Sequence, residues 1–373
     1  MNYENIPIVK EFIELAKVDN SSRNERAVAD ILIDRLKEIG CEVWEDSVAE
    51  NVGGNTGNIH AVLKGDIDEA VLFMAHMDRV QNGLGIDPKI NGDELYSDGS
   101  TILAADDLSG VTAILDGLRK IAAEGTNHVN VEVIFSVCEE IGLQGSLYLK
   151  CDKLKSKFGY VLDSPGRIGR ILDSAMGKAQ MFLTVEGKTA HAAYPELGIS
   201  ALRAAILVLA ELEDGRVEDE TVINWSYLDS PTPFNAIAGH AEAQGLAMSR
   251  DNSKLQAYLD KFTAVARKVA EKTGAEIEAK YHIDYPSFYV PEGSESIKYA
   301  SQALVAIGVT PNVEHGAGGF DANRMNGYGI EMIGLSTGYS KNHTVNEVLC
   351  LEDLIKSGEL VEAIVHRYSE ECL

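Results

Sequence analysis

Several short apolar runs in this chain end in histidine, aspartate or glutamate, and this pattern constrains the fold more than any other feature of the sequence. One run begins at Val71 and leads into His-Met-Asp at 76–78. A second run, over 131–137, leads into Cys-Glu-Glu at 138–140. Adjacent carboxylates at the end of an apolar strand are unfavourable unless a cation offsets their charge. The pattern therefore predicts buried strands whose ends converge on a charged site.

Further segments place polar residues in the same way. Asp106 and Asp107 stand where a loop turns into a helix, whose apolar positions repeat at helical spacing until Gly125. One aspartate of this pair could simply cap the helix, which accounts less well for the second. A short apolar run ends in Asp163, and a later one leads to a Gly-rich loop that contains His343. Since the ligand crevice of an open α/β sheet lies outside the carboxyl ends of its strands, we expect these side chains to face one crevice.

The donor groups at these strand ends suit metal ions. Two imidazoles and several carboxylates are enough ligands for two ions of the zinc type. On a strand, His76 and Asp78 point to the same side, so Asp78 can accept the second N–H of a metal-bound His76. Taken alone, this pair is more simply explained as a hydrogen-bonded histidine beside a surface aspartate, since a metal site needs several converging ligands. The segments together predict a dinuclear metal centre.

The ordered set of these segments resembles the dinuclear zinc exopeptidases that include peptidase T, carboxypeptidase G and succinyl-diaminopimelate desuccinylase, and is most similar to peptidase T. The resemblance extends from about residue 5 to the C-terminus. It implies that Asp106 bridges two ions whose other ligands are His76 and Asp163 on one side, and Glu140 and His343 on the other. It also implies that Asp78 orients His76 and that Glu139 is the general base. Leu108 departs from the family pattern, in which a non-ligand lysine is common at that position.

The same resemblance implies substrate contacts from a second region of the chain. His191, in a Gly-x-x-x-His loop, would stabilise the oxyanion in the active site of a partner subunit, with a surface histidine as the alternative. Asn235 and Arg250 resemble contacts to the substrate carboxylate, since arginine can donate two parallel hydrogen bonds. The alternative for Arg250 is an ion pair with one of the many acids. Gly319 belongs to a Gly-Gly-x-Asp substrate loop, in which Phe320 replaces the frequent threonine or serine.

The order of predicted elements indicates two domains. Up to about residue 165, strands alternate with helices, which predicts a mainly parallel sheet of the α/β class. After Asp173 the pattern changes to strand, helix, strands, helix and strand, which predicts a small α+β domain with two helices on one sheet face. We place this domain at 175–285, and the resemblance identifies it as an inserted lid and dimerisation domain. The catalytic domain then comprises 1–174 and 286–373.

Three local expectations accompany this division. The Asn-Ser-Ser sequence at 20–22 is a plausible cap region before a helix from Glu25 to Gly40. Residues 86–99, rich in Gly, Asp and Pro, predict a loop or hairpin over the crevice. His60 lies within a predicted strand, and we interpret it as structural.

Composition limits the partners and the compartment. The chain has 33 basic and 58 acidic side chains, and its net charge of −25 argues against nucleic acid and anionic membranes. The first residues show no signal-peptide pattern, and no run approaches the ~18 apolar residues that span a bilayer. Five scattered cysteines without a C-x-x-C pair fit a reducing environment. We therefore expect a cytoplasmic protein.

The resemblance implies a metal-dependent peptidase that releases the N-terminal residue of short peptides. A metal-bridging hydroxide would attack the peptide bond, with Glu139 as general base. The implied cofactors are two Zn²⁺ per chain, with Co²⁺ or Mn²⁺ as alternatives, and the implied assembly is a homodimer through the lid. An N-acyl amino acid amidohydrolase (deacylase) or a carboxypeptidase-like enzyme would use the same chemistry. A non-catalytic metal-binding homologue is the third reading, which the presence of every implied ligand and of the general base disfavours.

Overall fold

The strands form three sheets, which belong to two parts of the chain. The computed structural model describes residues 2–373 and divides into two compact units. The first unit comprises residues 2–174, Val290–Gly316 and Phe320–Leu373. The second comprises Ala175–Tyr289 and Ala317–Gly319. Its long segment ends at Tyr289, whereas the sequence pattern placed the boundary at 285.

Elements are numbered in chain order. The strands are β1 (Glu42–Glu45), β2 (Ile59–Leu63), β3 (Ile67–His76), β4 (Lys89–Asn91), β5 (Glu94–Tyr96), β6 (Val129–Ser136), β7 (Phe158–Ser164), β8 (Arg170–Ala175), β9 (Gly177–Glu186), β10 (Gly215–Glu218), β11 (Thr221–Asp229), β12 (His240–Ser249), β13 (Glu276–Tyr285), β14 (Phe288–Tyr289), β15 (Asn312–His315), β16 (Glu331–Ser336), β17 (Tyr339–Ser340) and β18 (Val348–Cys350). The α-helices are α1 (Pro7–Ala16), α2 (Arg26–Ile39), α3 (Val48–Val52), α4 (Ala105–Glu124), α5 (Gln144–Leu147), α6 (Ala201–Ala210), α7 (Asn252–Thr273), α8 (Glu295–Ala306), α9 (Ala322–Gly327) and α10 (Leu351–Cys372).

Four parallel strands form the centre of the main sheet. Within the first unit the strand order is β1-β2-β6-β3-β7-β16-β8, and β15 lies beside β8. Strands β6, β3, β7 and β16 run parallel to one another, whereas β1, β2 and β8 are antiparallel to their neighbours on this path. The carboxyl ends align, because His76 pairs with Ser136 and Ser164 pairs with Ser336. The prediction of a mainly parallel α/β sheet is confirmed.

The central strands are continuously apolar because both of their faces are covered. Every residue of β3 from Ala70 to His76 is buried, as is usual for parallel strands. Two helix ends follow the predicted signals. Helix α2 ends at Gly40, which has a left-handed φ of 104°, and α4 ends before Gly125.

The segment from 86 to 99 forms the predicted hairpin. Strands β4 and β5 pair antiparallel, and β5 also pairs with β18, which joins β17. This small sheet therefore connects the hairpin to the loop that contains His343.

The second unit is an antiparallel sheet in the order β10-β11-β12-β9-β13. Residues of β9 alternate between buried and more exposed, as expected for a strand with one covered face. Helices α6 and α7 contribute to one apolar core with this sheet, in which Leu183 of β9 and Phe262 of α7 are buried. Helix α7 starts where the Asp251 carboxylate accepts hydrogen bonds from two backbone amides, and it ends at Gly274. The predicted α+β architecture is confirmed, with β10 as an additional strand.

The expectation for residues 20–22 is wrong. Helix α2 begins at Arg26, its cap residue is Glu25, and no side chain caps it. The Asn20 amide instead donates to the carbonyl of Met77, and the Ser22 hydroxyl donates to Asp78 Oδ2 at 2.6 Å. These side chains bond to the residues that follow β3, because the folded chain brings residues 20–22 beside the end of that strand.

Among the helices of residues 2–373, none combines the length and the apolar character needed to cross a bilayer.

Candidate metal centre

The implied ligands lie at the aligned carboxyl ends of the central strands. His76 is the last residue of β3, and Asp163 is the last but one of β7. Glu140 follows β6, and His343 lies in the loop that follows β17. Asp106 lies in the first turn of α4, where the peptide bond to Asp107 is cis. Parallel pairing of β6, β3, β7 and β16 therefore gathers residues that are far apart in the sequence.

Asp106 lies between the two histidines. Its Oδ1 is 3.1 Å from His76 Nε2, and its Oδ2 is 3.1 Å from His343 Nε2. The Asn342 amide donates to the same Oδ2 at 2.7 Å. One carboxylate thus faces a different imidazole with each oxygen, which is the arrangement that a bridging ligand requires.

The remaining implied ligands extend this arrangement on either side. Glu140 Oε1 is 3.2 Å from His343 Nε2, and Asp163 Oδ2 is 3.9 Å from His76 Nε2. Ligand atoms of His76, Asp106 and Glu140 lie within 4.8 Å of one another. The hydroxyl of Tyr339 donates to the other oxygen of Asp163 at 2.9 Å, which orients that carboxylate.

These residues fit divalent cations by their charge and burial. Burial raises the pKa of Asp163 and of Glu139 well above the usual carboxyl range, and nearby carboxylates add to the effect. Glu140 Oε1 is buried and accepts no hydrogen bond, although His343 lies close to it. A buried oxygen of this kind is costly unless it has a partner. Imidazole nitrogens and carboxylate oxygens are the donors that Zn²⁺, Mn²⁺ and Co²⁺ accept.

Asp107 is also buried beside these groups, and its oxygens are occupied by the backbone. Its Oδ2 accepts the amide of His76 at 3.1 Å, and its Oδ1 accepts the amide of Gly110 at 3.1 Å. A ligand atom of Asp107 also lies within 4.8 Å of those of His76 and Asp163. The second aspartate of the pair therefore caps the helix and holds the end of β3, while Asp106 faces both histidines.

Asp78 supports the site through both its carbonyl and its carboxylate. Strand β3 ends at His76, so Asp78 lies in the following turn. His76 Nδ1 is 3.0 Å from the Asp78 carbonyl oxygen and 3.4 Å from its Oδ1. The carboxylate accepts the amides of Glu139 at 3.0 Å and Glu140 at 3.3 Å. The next amide upstream, that of Cys138, donates to buried Glu25 at 3.0 Å, so two carboxylates hold the turn that presents Glu139 and Glu140.

Glu347 is a buried acid beside the candidate metal ligands that the sequence pattern did not reveal. Its Oε2 accepts the amides of Leu103 at 2.8 Å and Ala104 at 3.0 Å, and its Oε1 accepts the amide of Asp106 at 3.0 Å. Glu347 is buried, and burial raises its pKa to about 7. Its position four residues after His343 is the only sequence signal, because nothing in the sequence connects it to residues 103–106.

Asp321 is a second buried acid at the same edge. It accepts hydrogen bonds from the hydroxyls of Ser136 and Ser146, both at 2.5 Å. The Gly-Gly-x-Asp pattern predicts a substrate loop here, whereas these contacts join the end of β6 to the start of helix α9.

The four implied substrate contacts belong to the second unit. His191 and Asn235 are exposed and lie on adjoining loops, because the amide of Ala192 donates to the Asn235 carbonyl at 2.8 Å. The backbone amide of Arg250, at the end of β12, donates to the carbonyl of Glu220 at 3.0 Å. Gly319 packs against the ring of Tyr285, where a Cβ atom would approach to 2.2 Å. That contact gives glycine at 319 a packing reason within the unit.

His60, which the sequence pattern placed within a strand, makes contacts that fit a structural role. His60 is buried, stacks on Trp44, and its Nε2 donates to Asp46 Oδ2 at 3.1 Å.

An α/β sheet that gathers histidines and acids at the ends of parallel strands defines a class of metal-dependent hydrolases, and comparison with known proteins names the family. The model described as "Peptidase family M20/M25/M40" matches residues 72–367. The chain therefore belongs to this family of metal-dependent peptidases, and the resemblance seen in the sequence is confirmed.

Three relatives illustrate the similarity. A Bacillus subtilis protein, named "Uncharacterized protein YqjE", is 32% identical over 96% of this chain and 97% of its own. The crystal structure of aminopeptidase PepT from Bacillus cereus has a TM-score of 0.93 and 34% identity, with 98% of both chains covered. The crystal structure of a tripeptidase from Staphylococcus aureus has a TM-score of 0.94 and 26% identity, with 99% of both chains covered.

Proposed function

We propose that this protein is a dinuclear metallo-aminopeptidase that removes the N-terminal residue from short peptides, with tripeptides as the preferred substrates. The observation that carries the metal chemistry is the placement of Asp106 between His76 and His343, 3.1 Å from each. The substrate class is supported by the aminopeptidase and the tripeptidase to which the chain is similar over almost its full length.

We assign the metal ligands from this geometry. His76 and Asp163 would hold one ion, Glu140 and His343 the other, and Asp106 would contact both. We propose Zn²⁺, with Co²⁺ or Mn²⁺ as substitutes, because the donors are nitrogen and oxygen atoms. Bound divalent cations supply Lewis acidity, which polarises the scissile carbonyl and lowers the pKa of the attacking water.

Glu139 is the proposed general base. It is buried next to Glu140, and its backbone is held by the Asp78 carboxylate. A carboxylate in this position takes the proton of the attacking water and passes it to the leaving amine. The two hydrogen bonds that Asp78 accepts keep Glu139 and Glu140 in one orientation during that transfer.

The second unit is proposed to supply substrate contacts and the dimer interface. His191 and Asn235, on adjoining exposed loops, are assigned to the substrate together with Arg250 and Gly319. In this proposal His191 acts in the active site of the partner subunit. Sedimentation of the purified protein tests the assembly, because a monomer at assay concentration that is fully active would exclude this role for His191.

A substrate panel tests the reaction. Free tripeptides should be cleaved at their first peptide bond, whereas N-acetylated tripeptides, N-acetyl amino acids and N-succinyl amino acids should remain intact. Mass spectrometry of the products identifies the bond that is broken, and a Glu139→Ala variant serves as the inactive control. Release of acetate or succinate would instead establish a deacylase, and release of the C-terminal residue would establish a carboxypeptidase.

A further inference from the structure

A histidine and two glutamates converge where helices α4 and α10 of the first unit meet. Glu124 is the last residue of α4, and Glu362 and His366 lie one turn apart on α10. One ligand atom from each of these three side chains lies within 4.8 Å of the other two. Two ligands of one zinc-type ion are roughly 3–4 Å apart, because each lies about 2.0–2.3 Å from the metal. Small side-chain adjustments would therefore let all three donors contact one ion.

Close packing of the two helices fixes the positions of these donors. A Cβ atom on Gly117 of α4 would approach Val361 Cγ1 of α10 to 2.5 Å, so the helices touch along their backbones at this point. Glu362 follows Val361 directly. Residues four apart on a helix project from the same face, so Glu362 and His366 can both reach the last residue of α4.

The two carboxylates of the group approach each other with little compensating charge. His366 Nε2 lies 2.8 Å from Glu124 Oε2. The ion pair of Glu362 with Lys120 is long, at 4.0 Å, and the same ammonium lies 2.8 Å from Asp116. Burial raises the pKa of Glu362, and the charge of Glu124 and a hydrogen bond with it add to the effect. A cation between two neighbouring carboxylates favours their ionised forms.

The end of α4 also favours a cation at this place. The last turn of α4 contains no basic residue, and its final residue is Glu124. The last carbonyl groups of a helix carry partial negative charge, so a cation is favourable there and a carboxylate is not. A recess of about 260 Å³ adjoins the group, and both Glu124 and His366 line it. This recess has room for the water that completes the coordination of an ion with three protein ligands.

An exposed histidine of the second unit shows how this group differs from an ordinary ion pair. His240 is paired with two glutamates as well, Glu186 at 2.7 Å and Glu242 at 3.2 Å. These carboxylates contact different nitrogens of the ring, Nδ1 and Nε2 respectively. One ion therefore cannot take the place of both contacts, whereas the donors of Glu124, Glu362 and His366 meet at one point.

We propose that Glu124, Glu362 and His366 bind one divalent cation of the zinc type, in addition to the ions proposed at the metal centre. Imidazole and carboxylate donors suit Zn²⁺, whereas Mg²⁺ and Ca²⁺ take oxygen ligands. The ion would join the end of α4 to α10 and so stabilise the folded chain. The proposal is independent of the peptidase reaction, because none of its three ligands is assigned to that reaction.

Counting of bound metal in the untagged, metal-loaded protein tests the proposal. Dialysis against a range of buffered free Zn²⁺ concentrations, followed by atomic emission, should show one ion per chain that the variant His366→Ala binds more weakly. Loss of a residue that only orients a ligand lowers metal affinity by about 10–100-fold, so loss of a ligand should weaken this ion at least about tenfold. The comparison between variants holds whatever number of ions the metal centre binds.

His240→Ala is the matched control. The His240 side chain is 41% exposed and that of His366 is 40% exposed, and each is paired with glutamate. His240→Ala should bind as many ions as the wild type at every Zn²⁺ concentration. An equal loss of metal in both variants would mean that exposed histidines bind Zn²⁺ without a built site, which would overturn the proposal.

Two further measurements examine the ligands and the link between the helices. Glu362→Gln removes a charged donor and nearly keeps its shape, so it should weaken the same ion, and excess Mg²⁺ should not displace the ion from the wild type. Occupation of the site should raise the melting temperature of the wild type and of His240→Ala, and not that of His366→Ala. Equal Zn²⁺ binding by the wild type, His366→Ala and Glu362→Gln would overturn the proposal and leave His366 and Glu124 as an ordinary ion pair.

Discussion

The hydrogen bonds of Glu347 lead to a quantitative prediction for the variant Glu347→Gln. The carboxylate accepts three backbone amides, two through Oε2 and the amide of Asp106 through Oε1. Glutamine keeps one oxygen, so it can retain the amides of Leu103 and Ala104 but turns its own NH₂ toward Asp106. At a pH above about 7, where the Glu347 carboxyl is ionised, one charge-assisted hydrogen bond is lost and two donors then face each other. The loss of stability should be about 1.5–3 kcal/mol.

The same change should weaken metal binding, because the lost bond holds the backbone of the residue proposed to contact both ions. Removal of a group that orients a metal ligand typically lowers affinity by about 10–100-fold. Competition with a chromophoric chelator measures this affinity, and thermal unfolding measures the stability. Glu347→Ala removes all three acceptors, and its loss of stability should be larger, on the order of 5 kcal/mol.

Glu132→Gln is the matched control for this experiment. Glu132 is also buried, and its carboxylate accepts the amides of Lys155 at 2.9 Å and Ser156 at 3.0 Å, away from the metal centre. Its amide variant should lose stability on a similar scale and keep its metal affinity. If Glu347→Gln behaves in the same way, with normal metal affinity, the residue stabilises the fold and does not position Asp106.

Three further predictions concern the metal centre. Glu139→Ala should retain both metals, measured by atomic emission, and lose nearly all turnover of tripeptides; activity within about tenfold of wild type would remove it from the role of base. His343→Ala should lower the metal content because it removes a ligand from one side of Asp106, and two ions per chain in that variant would contradict the assignment. In the metal-free protein, stability should fall as pH rises from about 5 to 8. Burial raises the pKa of Asp163, and the hydrogen bond to Asp106 raises the pKa of His343 to about 10. The folded chain therefore keeps protons that the unfolded chain releases over this range, which destabilises the folded state as pH rises. Bound metal displaces those protons, and the increase in melting temperature on adding metal should therefore be larger at about pH 8 than at about pH 5.5.

The main features of the fold followed from local patterns. Continuous apolar runs identified the central strands because both faces of a parallel strand are buried, and Gly40 and Gly125 marked two helix ends. The segment after Asp173 was separated by its alternating strands, although its end at Tyr289 and strand β10 were not foreseen. Boundaries of this kind depend on contacts between distant segments.

The sequence by itself determined which strand ends carry His76, Asp163 and Glu140, because parallel pairing brings carboxyl ends to one edge whatever the connecting loops do. Only the tertiary structure decided which oxygen faces which donor. Glu347 accepts a hydrogen bond from the amide of Asp106, 241 residues away in the sequence. Asn20 and Ser22 donate hydrogen bonds to the residues after β3 and do not cap helix α2. Hydrogen bonds are short and directional, so these partners are set by the final positions of backbone groups, which residue order alone does not specify.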